Sequence, residues 1–117
     1  MRMSFAVCAV LGVVGLPAAA DSALERAAMD AVAYGLRDPG SARFRNIRTV
    51  TYPTPAGRVA SYVCGEVNGK NVYGGYVGFR RFYVGEMKGQ LVADIEPPAS
   101  EDRSVFVMLY DTFCRGA

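Results

Sequence analysis

The stretch VCGEVNGKNVYGGYVGF, from Val63 to Phe79, places one cysteine, one glutamate, one lysine, two asparagines and three aromatics among five glycines. Such residues can cradle phosphate, move a proton or form a covalent bridge, and their spacing separates these chemistries. Gly65-Glu-Val-Asn-Gly69-Lys70 is one residue short of the phosphate-loop spacing and lacks the Ser or Thr that follows its lysine. It also reads as a strand turning into a strand, whereas a phosphate loop opens a helix. Gly74-Gly75-Tyr-Val-Gly78 fails the dinucleotide pattern in the same way. No nucleotide and no cofactor is expected.

The chain contains no histidine. That excludes Ser-His-Asp and Cys-His catalysis and the usual zinc sites. No catalytic residue and no metal ligand set is assigned. Glu66 is the one carboxylate in the stretch. In a regular strand it shares a face with Tyr62 and Cys64 and points inward, unless a bulge at Gly65 flips the parity. A partly buried carboxylate needs a partner or a raised pKa. One reading is an ion pair with a nearby arginine; the other is a general acid or base in a small hydrolase-like enzyme using Glu66 with Arg or Tyr.

The elements that would position these residues begin after an export signal. Met1-Arg2-Met3 is a basic start, Ser4 to Leu16 a short apolar run, and Pro17-Ala-Ala-Ala20 a small-residue end. This pattern is that of a secretory signal peptide over 1–20, leaving 21–117 as a single small domain in the periplasm or outside the cell. The apolar run is shorter than the roughly 20 residues a membrane-spanning helix needs, and no membrane span is expected. Cys8 falls in the leader. Cys64 and Cys114 remain, and in an oxidising compartment such a pair reads as one disulfide.

Charge is unevenly spread. Residues 37–90 hold nine basic and three acidic side chains, while the flanking segments are net acidic. The basic middle could face an anionic partner, or the acidic helices could neutralise it internally. Nucleic acid is disfavoured, because the exported chain is close to neutral as a whole.

Ser22-Ala-Leu-Glu25 has the form of a capping box for a helix from Ala23 to about Leu36, with Met29, Val32, Ala33 and Leu36 as its buried stripe. Strands are expected over Phe44–Tyr52, Arg58–Val67, Tyr76–Glu86 and Gln90–Ile95. Asn68-Gly69 and Lys88-Gly89 are expected as two-residue turns, and Gly74-Gly75 as a bulge or a close backbone contact. A last helix from about Glu101 to Arg115 would bury Phe106, Leu109, Tyr110 and Phe113; a strand over Val105–Tyr110 is the competing reading. The expected fold is α+β, a four-stranded antiparallel meander flanked by an N-terminal and a C-terminal helix and tied by the Cys64–Cys114 bridge.

In that fold Tyr76, Gly78, Arg80 and Phe82 share one face of their strand, and Val77, Phe79, Arg81 and Tyr83 the other. Aromatics and guanidinium groups together suit stacking and bidentate hydrogen bonds. The candidate binding residues are therefore Glu66, Asn68, Lys70, Asn71, Tyr73, Tyr76, Arg80 and Arg81. The expected function is non-enzymatic binding, with an envelope protein or an anionic or glycan polymer as partner.

Two segments carry a resemblance. Asp38-Pro-Gly-Ser-Ala-Arg-Phe-Arg-Asn46, followed by Val63-Cys-Gly-Glu-Val-Asn-Gly-Lys-Asn71 and Gly74-Gly-Tyr-Val-Gly-Phe79, resembles a group of small exported bacterial proteins that share DPxSAxFRN-like and VCGEVNxKNxxGGYxGF-like segments. The resemblance covers roughly residues 37–84. It implies export and a fold type, and carries no catalytic residues over.

Overall fold

A computed structural model describes residues 22–115. The expected leader lies outside the described residues. Helix α1 covers 22–34, and a single 3-10 turn follows at Pro39–Ser41. Strands β1 (Arg43–Pro53), β2 (Val59–Asn68), β3 (Arg80–Met87) and β4 (Gln90–Ile95) come next, then helix α2 (Ser104–Cys114). The strands form one antiparallel sheet in the order β1-β2-β3-β4. This is the α+β meander with flanking helices expected from the sequence.

The helices lie on opposite faces of the sheet. Strand residues alternate between faces. Val63, Val67, Phe82 and Val84 point one way and pack with Ala28 and Val32 of α1. Cys64, Tyr83 and Val50 point the other way and pack with Phe106, Tyr110 and Cys114 of α2. Both faces of β2 and β3 are thus buried, and two small cores share one sheet. The Cys64–Cys114 disulfide forms, with its Cα atoms 6.0 Å apart, and fastens the end of α2 to the middle of β2.

Several local expectations are corrected. Ser22 is already helical, so it is not the non-helical cap residue that a capping box requires. The buried stripe of α1 runs through Ala28 and Val32 with Leu24 and Leu36 beside it, while Met29 and Ala33 lie on its flanks. The helix is turned so that its small Ala28 meets the sheet. Helix α2 starts at Ser104, where the Asp102 carboxylate accepts from the Ser104 amide at 2.9 Å and from its hydroxyl at 2.7 Å. A helix there excludes the alternative strand.

The largest departure is the hairpin between β2 and β3. Asn68-Gly69 does not turn the chain. The strands continue to an isolated Lys70–Tyr76 bridge, and the reversal occurs at Asn71–Gly75. The Asn71 side chain decides this: its Oδ1 accepts from the amides of Tyr73 at 2.9 Å and Gly75 at 3.1 Å. Gly74 takes the positive φ of 83° that the turn needs. Gly69 instead permits a close approach, since a Cβ there would lie 3.1 Å from Leu36 Cδ1. Regular pairing with β2 resumes only at Arg80, so the expected strand from Tyr76 is shorter at its start. Lys88-Gly89 does form a tight turn, with φ values of 53° and 80°.

The bulge lies in β1, not at Gly65 or Gly74-Gly75. Between Arg45 and Arg48 the register shifts, so Asn46 and Ile47 together oppose Gly65. Asn46 carries φ 57°, a left-handed conformation that asparagine tolerates better than most residues. Ile47 fills the space above Gly65, where a Cβ would lie 2.5 Å from Ile47 Cδ1.

Candidate functional site

The two segments singled out in the sequence meet in space. Ser41, in the 3-10 turn, accepts from the Lys70 amide at 2.9 Å through its hydroxyl oxygen, and that hydroxyl donates to Asp38 O at 2.7 Å. Tyr76 reaches back and donates to Ser41 O at 2.9 Å. The guanidinium of Arg43 lies 4.1 Å from the centre of the Tyr76 ring, and that of Arg45 lies 3.8 Å from the Phe79 ring. The hairpin is held against the start of β1 by these contacts.

Most of the candidate residues build this frame. Glu66 accepts at one oxygen from Arg45 Nε at 2.8 Å and Asn46 Nδ2 at 2.6 Å. The Arg45 hydrogen bond holds its carboxyl below the ordinary value; burial opposes this, and Asn46 adds to the lowering. A general acid or base working near neutrality needs the opposite shift. Asn68 Oδ1 accepts from the Gly78 amide at 3.0 Å, where Gly78 adopts φ 106°. Asn71 shapes the turn and Tyr76 anchors it. Arg81 is committed to Glu96, donating at 2.7 Å from Nη2 while its amide donates to Oε1 at 3.1 Å. Tyr73 stands at the tip, 93% exposed, with no partner for its ring among the described residues.

Lys70, Asn71 and Arg80 belong to a different feature. They line a groove of about 500 Å³ at the end of the sheet, together with Arg37, Arg103 and an apolar set that includes Leu36, Val77, Phe79 and Pro98. The hairpin forms one wall, the chain after α1 another, and the segment between β4 and α2 the third. Among the described residues, four cations and no carboxylate line it. Among the described residues, Arg37, Lys70 and Arg80 make no ion pair. Arg80 is placed by donating to the Glu96 carbonyl at 3.2 Å.

Glu96 contacts the groove residues Arg80, through its carbonyl, and Arg103, and is 7% exposed. It binds Arg81 and also Arg103, whose Nη1 lies 3.1 Å from Oε2. The Arg81 hydrogen bond keeps the Glu96 carboxyl below its ordinary value despite burial. Arg103 Nε is buried and has no hydrogen-bond partner among the described residues. The Glu96 charge is therefore held mainly by Arg81, and Arg103 is the looser of its two cations.

Of the eight candidate residues, the fold gathers Lys70, Asn71 and Arg80 at the groove, leaves Tyr73 at the tip, uses Asn68 and Tyr76 to hold the hairpin, and sets Glu66 and Arg81 in ion pairs on the α2 side. Arg37, Arg103, Glu96 and Pro98 were not singled out from the sequence. The excess of positive charge over residues 37–90 was a signal for Arg37. Arg103 lies in a net acidic segment, and only the fold brings it alongside Lys70. No group of three or more His, Cys, Asp or Glu side chains able to hold a metal occurs among the described residues, and none of their helices is long and apolar enough to cross a membrane. No known family, characterised protein or solved structure matches the chain.

Proposed function

We propose that this chain is an exported, non-enzymatic binding protein that takes an anionic component of the cell envelope at the groove. The observation that carries the reading is the set of Arg37, Lys70, Arg80 and Arg103 around one concavity with no lining carboxylate among the described residues. Cations gathered this way repel one another, and an anion relieves the repulsion. Arginine adds planar, bidentate hydrogen bonding to carboxylate or phosphate oxygens. A volume near 500 Å³ is that of an ordinary small-ligand site. The leader-like residues 1–20 and the Cys64–Cys114 bridge support export, since disulfides persist in oxidising compartments.

Titration of isotope-labelled protein with polygalacturonate, an anionic glycan polymer, at low salt tests the reading by nuclear magnetic resonance. Shifts should concentrate at Arg37, Lys70, Arg80 and Arg103, weaken with added salt, and fade in the Lys70→Gln/Arg80→Gln double variant. Shifts scattered evenly over the surface, or a double variant that binds as well as the parent, would overturn it.

A further inference from the structure

The groove is more than a basic patch. Its lining combines the apolar Leu36, Val77, Phe79, Pro98 and Ala99 with the four cations. Val77 is 58% exposed. A purely ionic partner would leave these apolar groups in water. A purely apolar partner would strand the cations under it at a large desolvation cost. The lining is matched by a molecule with a compact, multiply charged head and a short apolar chain.

We infer that the ligand is a phosphate monoester bearing an apolar group, with its phosphate among Lys70, Arg80 and Arg103 and its chain along Leu36, Val77 and Phe79. This rests on the anion-binding reading above and narrows it. Phosphate is favoured over a single carboxylate because Lys70, Arg80 and Arg103 all line the one groove. A phosphate monoester offers close to two negative charges and three acceptor oxygens at neutral pH. Arg103 adds an independent observation. Its Nε is a buried donor without an acceptor, and its partner Glu96 is already satisfied by Arg81. Turning Arg103 toward a phosphate oxygen would satisfy that donor without leaving Glu96 unpaired.

The test compares three probes on the purified protein: octyl phosphate below its micelle-forming concentration, inorganic phosphate, and octanol. Octyl phosphate should bind at least about ten-fold more tightly than inorganic phosphate, as expected if two or more methylenes leave water. Octanol alone should produce no saturable shift at the groove. Lys70→Gln/Arg80→Gln should weaken octyl phosphate and inorganic phosphate alike. Val77→Ser, at an exposed position that leaves both cores intact, should weaken only octyl phosphate, by about three-fold. Equal affinity for the two phosphates would overturn the apolar half and leave the anion reading standing. Octanol binding as well as octyl phosphate would overturn the phosphate half. Failure of all three probes, with polygalacturonate also silent, would overturn both readings.

Discussion

Arg45 Nε donates to Glu66 Oε1 at 2.8 Å across the β1–β2 pair, and Asn46 Nδ2 donates to the same oxygen at 2.6 Å. Both donors reach one carboxylate because the bulge after Arg45 displaces Asn46 toward β2. Glu66 is thereby a fastener of the bulge. Glu66→Gln should cost about 1 kcal/mol of stability, the scale of a partly exposed charge-assisted contact. Chemical denaturation of parent and variant measures it. A variant that is unchanged in stability while losing groove binding would reassign Glu66 to the site.

Acid should destabilise the protein through Glu96 and Glu66. Both carboxyls titrate below the ordinary value of 4.5 in the folded chain. A carboxyl with a depressed folded pKa binds protons more readily when unfolded. Its contribution is complete above the unfolded pKa and is lost as pH falls through the lower, folded one. The melting temperature should therefore drop as pH goes below 4.5, and Glu96→Gln should flatten that slope while lowering stability at neutral pH. Parallel slopes for parent and variant would show that Glu96 does not drive acid unfolding.

Gly65 marks a packing contact. A Cβ at this position would lie 2.5 Å from Ile47 Cδ1 and 3.1 Å from Phe82 Cζ. Gly65→Ala should destabilise by about 1–3 kcal/mol, the usual cost of overpacking. Ile47→Val removes the clashing methyl, so the double variant should recover part of the loss. A thermodynamic cycle over the four proteins reads that coupling, and strict additivity would place the clash elsewhere.

The Cys64–Cys114 bridge spans 50 residues, and a loop of that size is worth about 4 kcal/mol in the chain-entropy picture. In a domain this small, reduction should lower the melting temperature by about 20 °C. Cys64→Ser/Cys114→Ser should match the reduced parent. Calorimetry with and without reductant decides, and two free thiols in the untreated protein would contradict the bridge.

Much of the fold was legible because its signals are local. Lys88-Gly89 turns the chain as its residue types require, and β4 occupies Gln90–Ile95. The apolar spacing of Phe106, Leu109, Tyr110 and Phe113 makes α2 a helix, with Phe106 and Tyr110 at its buried face. Asn68-Gly69 misled because a strong turn pair competed with a stronger one nearby. The Asn71 side chain collects two amides, and Leu36 packs over Gly69 and keeps it extended.

By itself the sequence determined the α+β class, the four-stranded meander and the pair of cysteines that could meet, because each follows from periodicity, turn chemistry or counting. Tertiary structure alone decided which sheet face each helix covers and how far α1 rolls. It also decided where Arg103 lies: residues 33 apart in sequence, Lys70 and Arg103, line one groove only after β3 and β4 have paired. Glu66, Asn68 and Asn71 looked like site residues because their types can do chemistry, and of these only Asn71 lines the groove. Their hydrogen-bonding capacity is instead used within the hairpin and the bulge, an outcome set by which donors the fold brings within about 3 Å.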